Sequence, residues 1–114
     1  MAKFMVLYSS AMTASELMAS ATPEQMQTSM AAWMTWKTEA EKSFKVEFGL
    51  PLQTIGRVTP DGTAHSDSKV SGYSIIEGES KEVLMEVLKS HPHLDRPEAS
   101  IDVLEMLSMP GIDA

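Results

Sequence analysis

The chain contains no cysteine. This absence excludes disulfide bonds, thiolate nucleophiles and the cysteine ligand sets of structural zinc sites. A cytoplasmic location fits a cysteine-free composition, and it is the location we expect.

Basic residues are also scarce. The chain has 9 lysines and arginines against 16 aspartates and glutamates, which gives a formal net charge of −7. This excess of negative charge would repel a phosphate backbone, and no basic stripe offsets it. We therefore expect no nucleic-acid partner.

Long hydrophobic runs are missing as well. The apolar run after Lys3 covers only residues 4–8, which is shorter than the core of a signal peptide and far short of a membrane span. We expect neither a targeting segment nor a membrane partner.

What the chain does contain is enough for one globular domain. Its 114 residues match a common domain size, and hydrophobic residues make up 43% of them, which is too many for a disordered segment. No internal repeat or interdomain linker interrupts the sequence. We assign residues 1–114 to a single domain.

Four strands are predicted, at residues 3–9, 50–58, 72–77 and 100–107. In the first, third and fourth, large apolar side chains alternate so that both faces of the strand are hydrophobic. The turn sequence at residues 59–62 follows the second strand, with a proline and a glycine in the positions that a tight turn requires.

Two helices are predicted between these strands. The first has Thr22 as its N-cap, with a proline directly after it, and apolar spacing carries it to about residue 46. The second begins after Ser80 and ends before Pro92. A short helical turn is predicted at residues 15–20.

The resulting order, βαββαβ, is that of a ferredoxin-like α+β subunit, an antiparallel sheet with two helices on one face. The strands are apolar on the opposite face too, so something else must cover that face. A second copy of the same surface is the simplest cover. We therefore predict a homodimer whose sheets stack or curl into a shared barrel.

Several segments in this order resemble the YCII-related proteins, especially the branch shared with DGPF-domain proteins. The segments are FMVLY near the N-terminus, TPEQM and AAWMTW in the first helix, GRVTPDG, SDSKVSGYSIIEGES, KSHPHL and SIDVLEMLSMPG. The resemblance covers nearly the whole chain, and residues 57–80 carry its most specific part. It implies a dimeric α/β barrel, in agreement with the strand pattern.

The resemblance implies less about activity, because the family is mostly uncharacterised. Its prototypes have a histidine and an aspartate proposed as catalytic, and that histidine follows the first strand. Residues 9–25 of this chain contain no histidine, so the pair is not carried over. The DGPF signature itself stands here as Asp61-Gly62-Thr63-Ala64.

The sequence SHPHLDRP at residues 90–97 carries the main candidate chemistry. If the prolines keep it extended, alternate side chains point to one side, and His91, His93 and Asp95 share a pocket. Imidazole titrates near neutrality, so these three are candidate catalytic residues for general acid–base work. In the alternative interpretation, His91 caps the second helix and His93 packs against the next strand.

Other polar groups suit binding better than catalysis. Arg57 could hold an anion, Tyr73 offers a hydroxyl from an apolar strand, and Asp67 lies in the polar loop before it, so these are the candidate ligand-binding residues. A metal site from His91, His93 and Asp95 would need His65 from a distant loop, and we expect none. Residues 65–68 also combine serine, histidine and aspartate. The sequence there shows no sign of the strained strand-to-helix turn that exposes a nucleophilic serine, so we expect no catalytic triad.

Large side chains of the first helix are expected to pack inward. Met26, Met30 and Met34 recur at four-residue steps, which is more typical of an adaptable core than of a ligand site. Trp33 and Trp36 point in different directions, so one is expected in the core and the other at an interface.

Two functions stay open. One is a dimeric barrel that binds a small organic ligand between sheet and helices, with cofactor-free lyase, isomerase or oxygenase-like chemistry. The other is a non-catalytic binding or accessory module of the same fold, since a fold does not determine a function. We expect no cofactor in either case, and a second copy of the chain and a small molecule as partners.

Overall fold

The secondary structure is taken from a computed structural model that describes residues 1–96 and 98–112. Along those residues the elements are β1 (Ala2–Ser9), α1 (Ala14–Ser20), α2 (Pro23–Ala40), β2 (Lys45–Phe48), β3 (Arg57–Thr59), β4 (Gly62–Ala64), β5 (Val70–Gly78), α3 (Lys81–Leu88), a 3₁₀ helix (Pro92–Asp95) and β6 (Ser100–Met106).

A four-stranded antiparallel sheet organises the described part of the chain. Its strand order is β2-β5-β1-β6. The central strands are β5 and β1, and the last strand, β6, pairs with β1 at one edge. The short strands β3 and β4 form a separate hairpin. The fold class is α+β, and the strand order is compatible with the ferredoxin-like arrangement predicted from the sequence.

The inner face of the sheet, which the helices cover, carries the hydrophobic core. Phe4, Val6 and Tyr8 of β1 are buried there together with Ile76 of β5. The helices add Trp36 and Ala40 from α2, and Leu84 and Leu88 from α3. The predicted strand faces are confirmed, because the residues assigned to one side of β1 are the buried ones.

The opposite side of the sheet, called the outer face below, is also apolar. Six large side chains lie on it across three strands: Met5, Leu7, Tyr73, Ile75, Leu104 and Met106. The register also places charged side chains around them on this face, namely Lys3, Lys45, Glu47, Glu77 and Asp102. Leu104 is 49% exposed and Met106 is 38% exposed, while the side chains on the central strands are half-buried. No helix of the described residues covers this side.

The predicted start of the long helix is confirmed, and its predicted end is wrong. Thr22 and Gln25 form a reciprocal capping box at 2.9 and 3.1 Å. The helix ends at Ala40, about six residues before the predicted end. Phe44 keeps the helical spacing but lies beyond the helix, and its ring packs where a side chain on Gly78 would be.

The second predicted strand, residues 50–58, is displaced in the structure. The strand of the sheet is β2, whose Val46 is buried and whose Phe48 is half-buried against the core. Residues 50–56 form no regular structure. The predicted turn is present as the tip of the β3–β4 hairpin, with Gly62 at a φ of 126° that favours glycine.

Among the described residues, no helix is both long enough and apolar enough to cross a bilayer.

Candidate functional site

A cavity of about 870 Å³ lies between the inner face of the sheet, α1 and α2. We call it the methionine cavity, because much of its lining is apolar and comes from Leu17, Met18, Met26, Met30, Trp33, Met34, Phe48, Leu50 and Pro51. Tyr8 borders it from the sheet. Its size falls in the range of sites that hold small organic molecules.

The methionine stripe of α2 explains why the cavity is apolar. Met26, Met30 and Met34 are 43%, 66% and 48% exposed, so they line the cavity and do not fill the core as the sequence favoured. Trp36 takes the core position, and Trp33 lies between core and cavity. Flexible thioether side chains suit a cavity whose shape must adapt to a ligand.

The segment with the two histidines is a tight turn. His91 itself is extended, as predicted before a proline, but Pro92–Asp95 forms a 3₁₀ helix and not an extended chain. The prediction that alternate side chains point to one side therefore does not hold. His91 caps this 3₁₀ helix, since its Nδ1 accepts a hydrogen bond from the backbone N–H of His93 at 3.0 Å. Pro97, the last residue of the motif, lies outside the described residues.

His91 is enclosed by aromatic rings and does not reach the cavity. Its ring centroid lies 4.4 Å from those of Trp33 and Trp36 and 5.0 Å from that of Tyr8. Burial lowers the pKa of His91 to about 4, and the nearby His93 acts in the same direction. The ring is therefore neutral at pH 7, with its proton on Nε2, because Nδ1 is the acceptor.

His93 is also buried, yet it borders the methionine cavity. Its Nε2–H donates to the backbone carbonyl of Ser9 at 2.8 Å, which ties the turn to the end of β1. Burial lowers the pKa of His93 and the charge of Arg96 acts in the same direction, although the backbone groups of Ser9 and Ser100 oppose the effect. His93 is thus a neutral imidazole at the cavity wall near neutral pH.

Tyr8 brings a hydroxyl to the buried side of the sheet. Its Oη and the Oγ of Ser74 are 2.8 Å apart, so both buried hydroxyls are satisfied by one another. Burial raises the pKa of Tyr8 to about 12. The phenol therefore stays protonated, and it interacts with Trp33 edge to face at 4.9 Å.

The remaining predicted residues lie in different places. Asp95 is exposed and lines a separate crevice of about 620 Å³ between α2 and the 3₁₀ helix, called the polar crevice below. Tyr73 belongs to the outer face by its register with Leu7, yet it also borders the methionine cavity just beyond the end of β2, where its ring occupies the space that a side chain on Gly49 would need. Arg57 and Asp67 are exposed and border neither space, and Asp67 pairs at 3.1 Å with the exposed His65.

Several site residues were not singled out from the sequence. The sequence assigns Tyr8 only to a hydrophobic strand face, and it does not single out Arg96 as a candidate although Arg96 lies within the SHPHLDRP segment. Tyr8 borders the cavity from β1, and Arg96 borders it because the 3₁₀ helix before it packs against α2 and β6. Arg96, one of two arginines in the chain, was the available signal.

Chemically, the arrangement offers an apolar volume with a neutral imidazole, a protonated phenol and a guanidinium at its wall. Within residues 1–96 and 98–112, no group of three or more histidine, aspartate or glutamate side chains is placed to hold a metal ion. No protein-family model matches the chain, and a search of curated proteins finds no significant match.

Proposed function

We propose that the chain is a YCII-like dimeric α/β-barrel protein that binds a small organic ligand in the methionine cavity of each subunit. The observation that carries this proposal is the cavity itself, which is large, mostly apolar and bordered by a few polar groups. Such a combination of apolar lining and sparse polar anchors is typical of small-molecule sites.

The dimer part of the proposal is supported by the outer face of the sheet. A contiguous set of large apolar side chains there is expected to be covered by another apolar surface. A two-fold dimer supplies that surface from the same residues of a second copy. The motif segments described above support the YCII-like assignment, and the strand order is compatible with it.

Binding is tested with a neutral fluorescent probe, N-phenyl-1-naphthylamine, whose emission increases in apolar surroundings. We expect saturable binding to the wild-type protein. Met30→Asp places a carboxylate at the cavity wall, and it should weaken binding about tenfold or more because the bound apolar probe would cover that carboxylate and remove it from water.

Met85→Asp is the matched control. Met85 is an exposed methionine of α3, 55% exposed against 66% for Met30, and it does not line the cavity. It should leave probe binding unchanged. Equal binding by wild type and both variants would place the probe elsewhere and contradict the proposed site.

A second candidate function is cofactor-free lyase or isomerase chemistry, favoured by the position of His93 at the cavity wall. Because Nε2–H donates to Ser9, the lone pair of the neutral ring is on Nδ1, and this candidate function requires Nδ1 to accept a substrate proton. The two candidates differ in one measurement. Deuterium exchange into a bound ketone such as 2-octanone, lost in His93→Asn, indicates an enzyme, whereas binding without exchange indicates a binding module.

A further inference from the structure

The methionine cavity and the polar crevice share a border. Gln25, Ser29 and Arg96 line both spaces. All three carry hydrogen-bond donors, and only Arg96 is charged. A single ligand that spans this border would therefore place its apolar part among methionines and aromatic rings and its polar part beside a guanidinium.

Arg96 is the unusual member of this border. The side chain is half-buried, and it makes no ion pair or hydrogen bond with another described residue. This is unexpected in a chain with a net charge of −7, where acidic partners are abundant. A half-buried guanidinium with no partner among residues 1–96 and 98–112 is a place where a ligand anion would gain a charge-assisted hydrogen bond.

On the basis of the proposed function, we propose that the ligand is an amphipathic monoanion whose apolar body occupies the methionine cavity and whose carboxylate binds Arg96. The planar guanidinium matches a carboxylate in a two-point contact that a lysine would not provide. Gln25 and Ser29 lie at the same border and supply further donors. Gln25 retains its side-chain N–H groups, because its capping bond uses only the Oε1 atom.

The surroundings of Arg96 favour one negative charge over two. Glu24 and Asp95 line the polar crevice on the far side of the border, so a doubly charged head group would meet two carboxylates. His93 does not compete as a cation, since it is buried and neutral near pH 7. A carboxylate is therefore preferred over a phosphate monoester.

The experiment measures how octanoate and octan-1-ol displace N-phenyl-1-naphthylamine from the wild-type protein and from Arg96→Met. The two competitors share one alkyl chain and differ in charge. We expect Arg96→Met to weaken octanoate about tenfold or more, as for loss of a charged hydrogen bond, and to change octan-1-ol less than about twofold. Octyl phosphate should compete less well than octanoate.

Arg57→Met is the matched control, because Arg57 is an exposed arginine that borders neither space. It should change neither competitor. Arg96→Gln serves as a second variant if circular dichroism shows that Arg96→Met does not fold, and it should weaken octanoate likewise. Octanoate affinity unchanged in both Arg96 variants, while the dye still binds, overturns the anion preference and leaves the cavity intact. A dye that does not bind the wild-type protein overturns both proposals.

Discussion

His91 is a polar, titratable ring at a position where water does not reach. Only 1% of the residue is exposed, and its Nε2 has no hydrogen-bond partner among the described residues. An unsatisfied buried donor of this kind costs about 1 to 3 kcal/mol. Two kinds of contact offset this cost. The ring packs against Trp33 and Trp36, and its Nδ1 accepts the hydrogen bond from the N–H of His93.

Acid should destabilise the fold through this residue. The pKa of His91 falls from 6.5 in the unfolded chain to about 4 in the folded chain, so between these values the unfolded chain binds more protons. The contribution of neutral His91 to the free energy of unfolding is therefore fully present above the unfolded pKa, and it is lost as the pH falls toward the folded pKa. The difference corresponds to about 3 kcal/mol, to be measured by urea unfolding at about pH 7.5 and about pH 4.5.

His91→Asn isolates this contribution. Asparagine keeps an acceptor for the N–H of His93 and removes the titration, so the loss of stability between the two pH values should shrink. His65→Asn is the matched control, since His65 lies in an exposed loop with 86% of its side chain accessible. Should His91→Asn lose as much stability on acidification as the wild type, His91 would not be the group responsible.

At the scale of elements, the junction between α2 and β2 depends on the absence of a side chain at Gly78. Alanine there would place its Cβ against the ring of Phe44, which is buried. We expect Gly78→Ala to destabilise the fold by about 1 to 3 kcal/mol, as other overpacked cores do, measured by urea unfolding.

Gly72→Ala is a control within the same strand. An alanine Cβ there would lie 3.7 Å from the ring of Tyr8, an ordinary contact, so stability should be nearly unchanged. In the Gly78→Ala background, Phe44→Leu should recover part of the lost stability, because the smaller leucine side chain leaves room for the alanine Cβ. Equal stability of the two glycine variants would show that the Phe44 contact is not limiting.

The same junction shows why the end of the helix was predicted wrongly. Phe44 follows Ala40 by four residues, so its hydrophobicity continues the helical pattern even though the backbone has turned toward β2. The hydrophobic pattern indicates that Phe44 is buried, but it does not indicate whether the backbone at residue 44 is still helical. The N-terminal end was predictable because a capping box is a local signal that involves only Thr22 and Gln25.

The candidate site was predictable to the same local extent. Pro92 correctly indicated an extended His91, but the following 3₁₀ turn packs against α2 and β6 and is bonded to Ser9 at the end of β1, and sequence spacing does not contain these contacts. That turn separates Asp95 from the histidines and brings Arg96 to the cavity. The methionine stripe was recognised as apolar, whereas its exposure depends on where α1 and α2 lie over the sheet.

At the scale of the whole molecule, the sheet separates two apolar environments. Its inner face carries the core and, through Tyr8, one wall of the cavity. Its outer face carries six large side chains that no helix of the described residues covers. The residues that line the cavity come from one chain, and Tyr73 alone is common to that lining and to the six outer-face side chains, so ligand binding and the proposed dimerisation are each open to their own test.

Ile75→Asp should dissociate the proposed dimer. Ile75 pairs with Met5 and Glu47 near the middle of the outer face, so a two-fold interface would bury two added carboxylates per dimer, each beside the like-charged Glu47. Burying these charges should raise the dissociation constant about a hundredfold or more, which light scattering at micromolar concentration would detect as a shift to monomer. Val58→Asp is the control, because Val58 is 81% exposed on the β3–β4 hairpin, and this variant should stay dimeric. A monomeric wild type, or an Ile75→Asp protein that remains a dimer, would contradict an interface on the outer face.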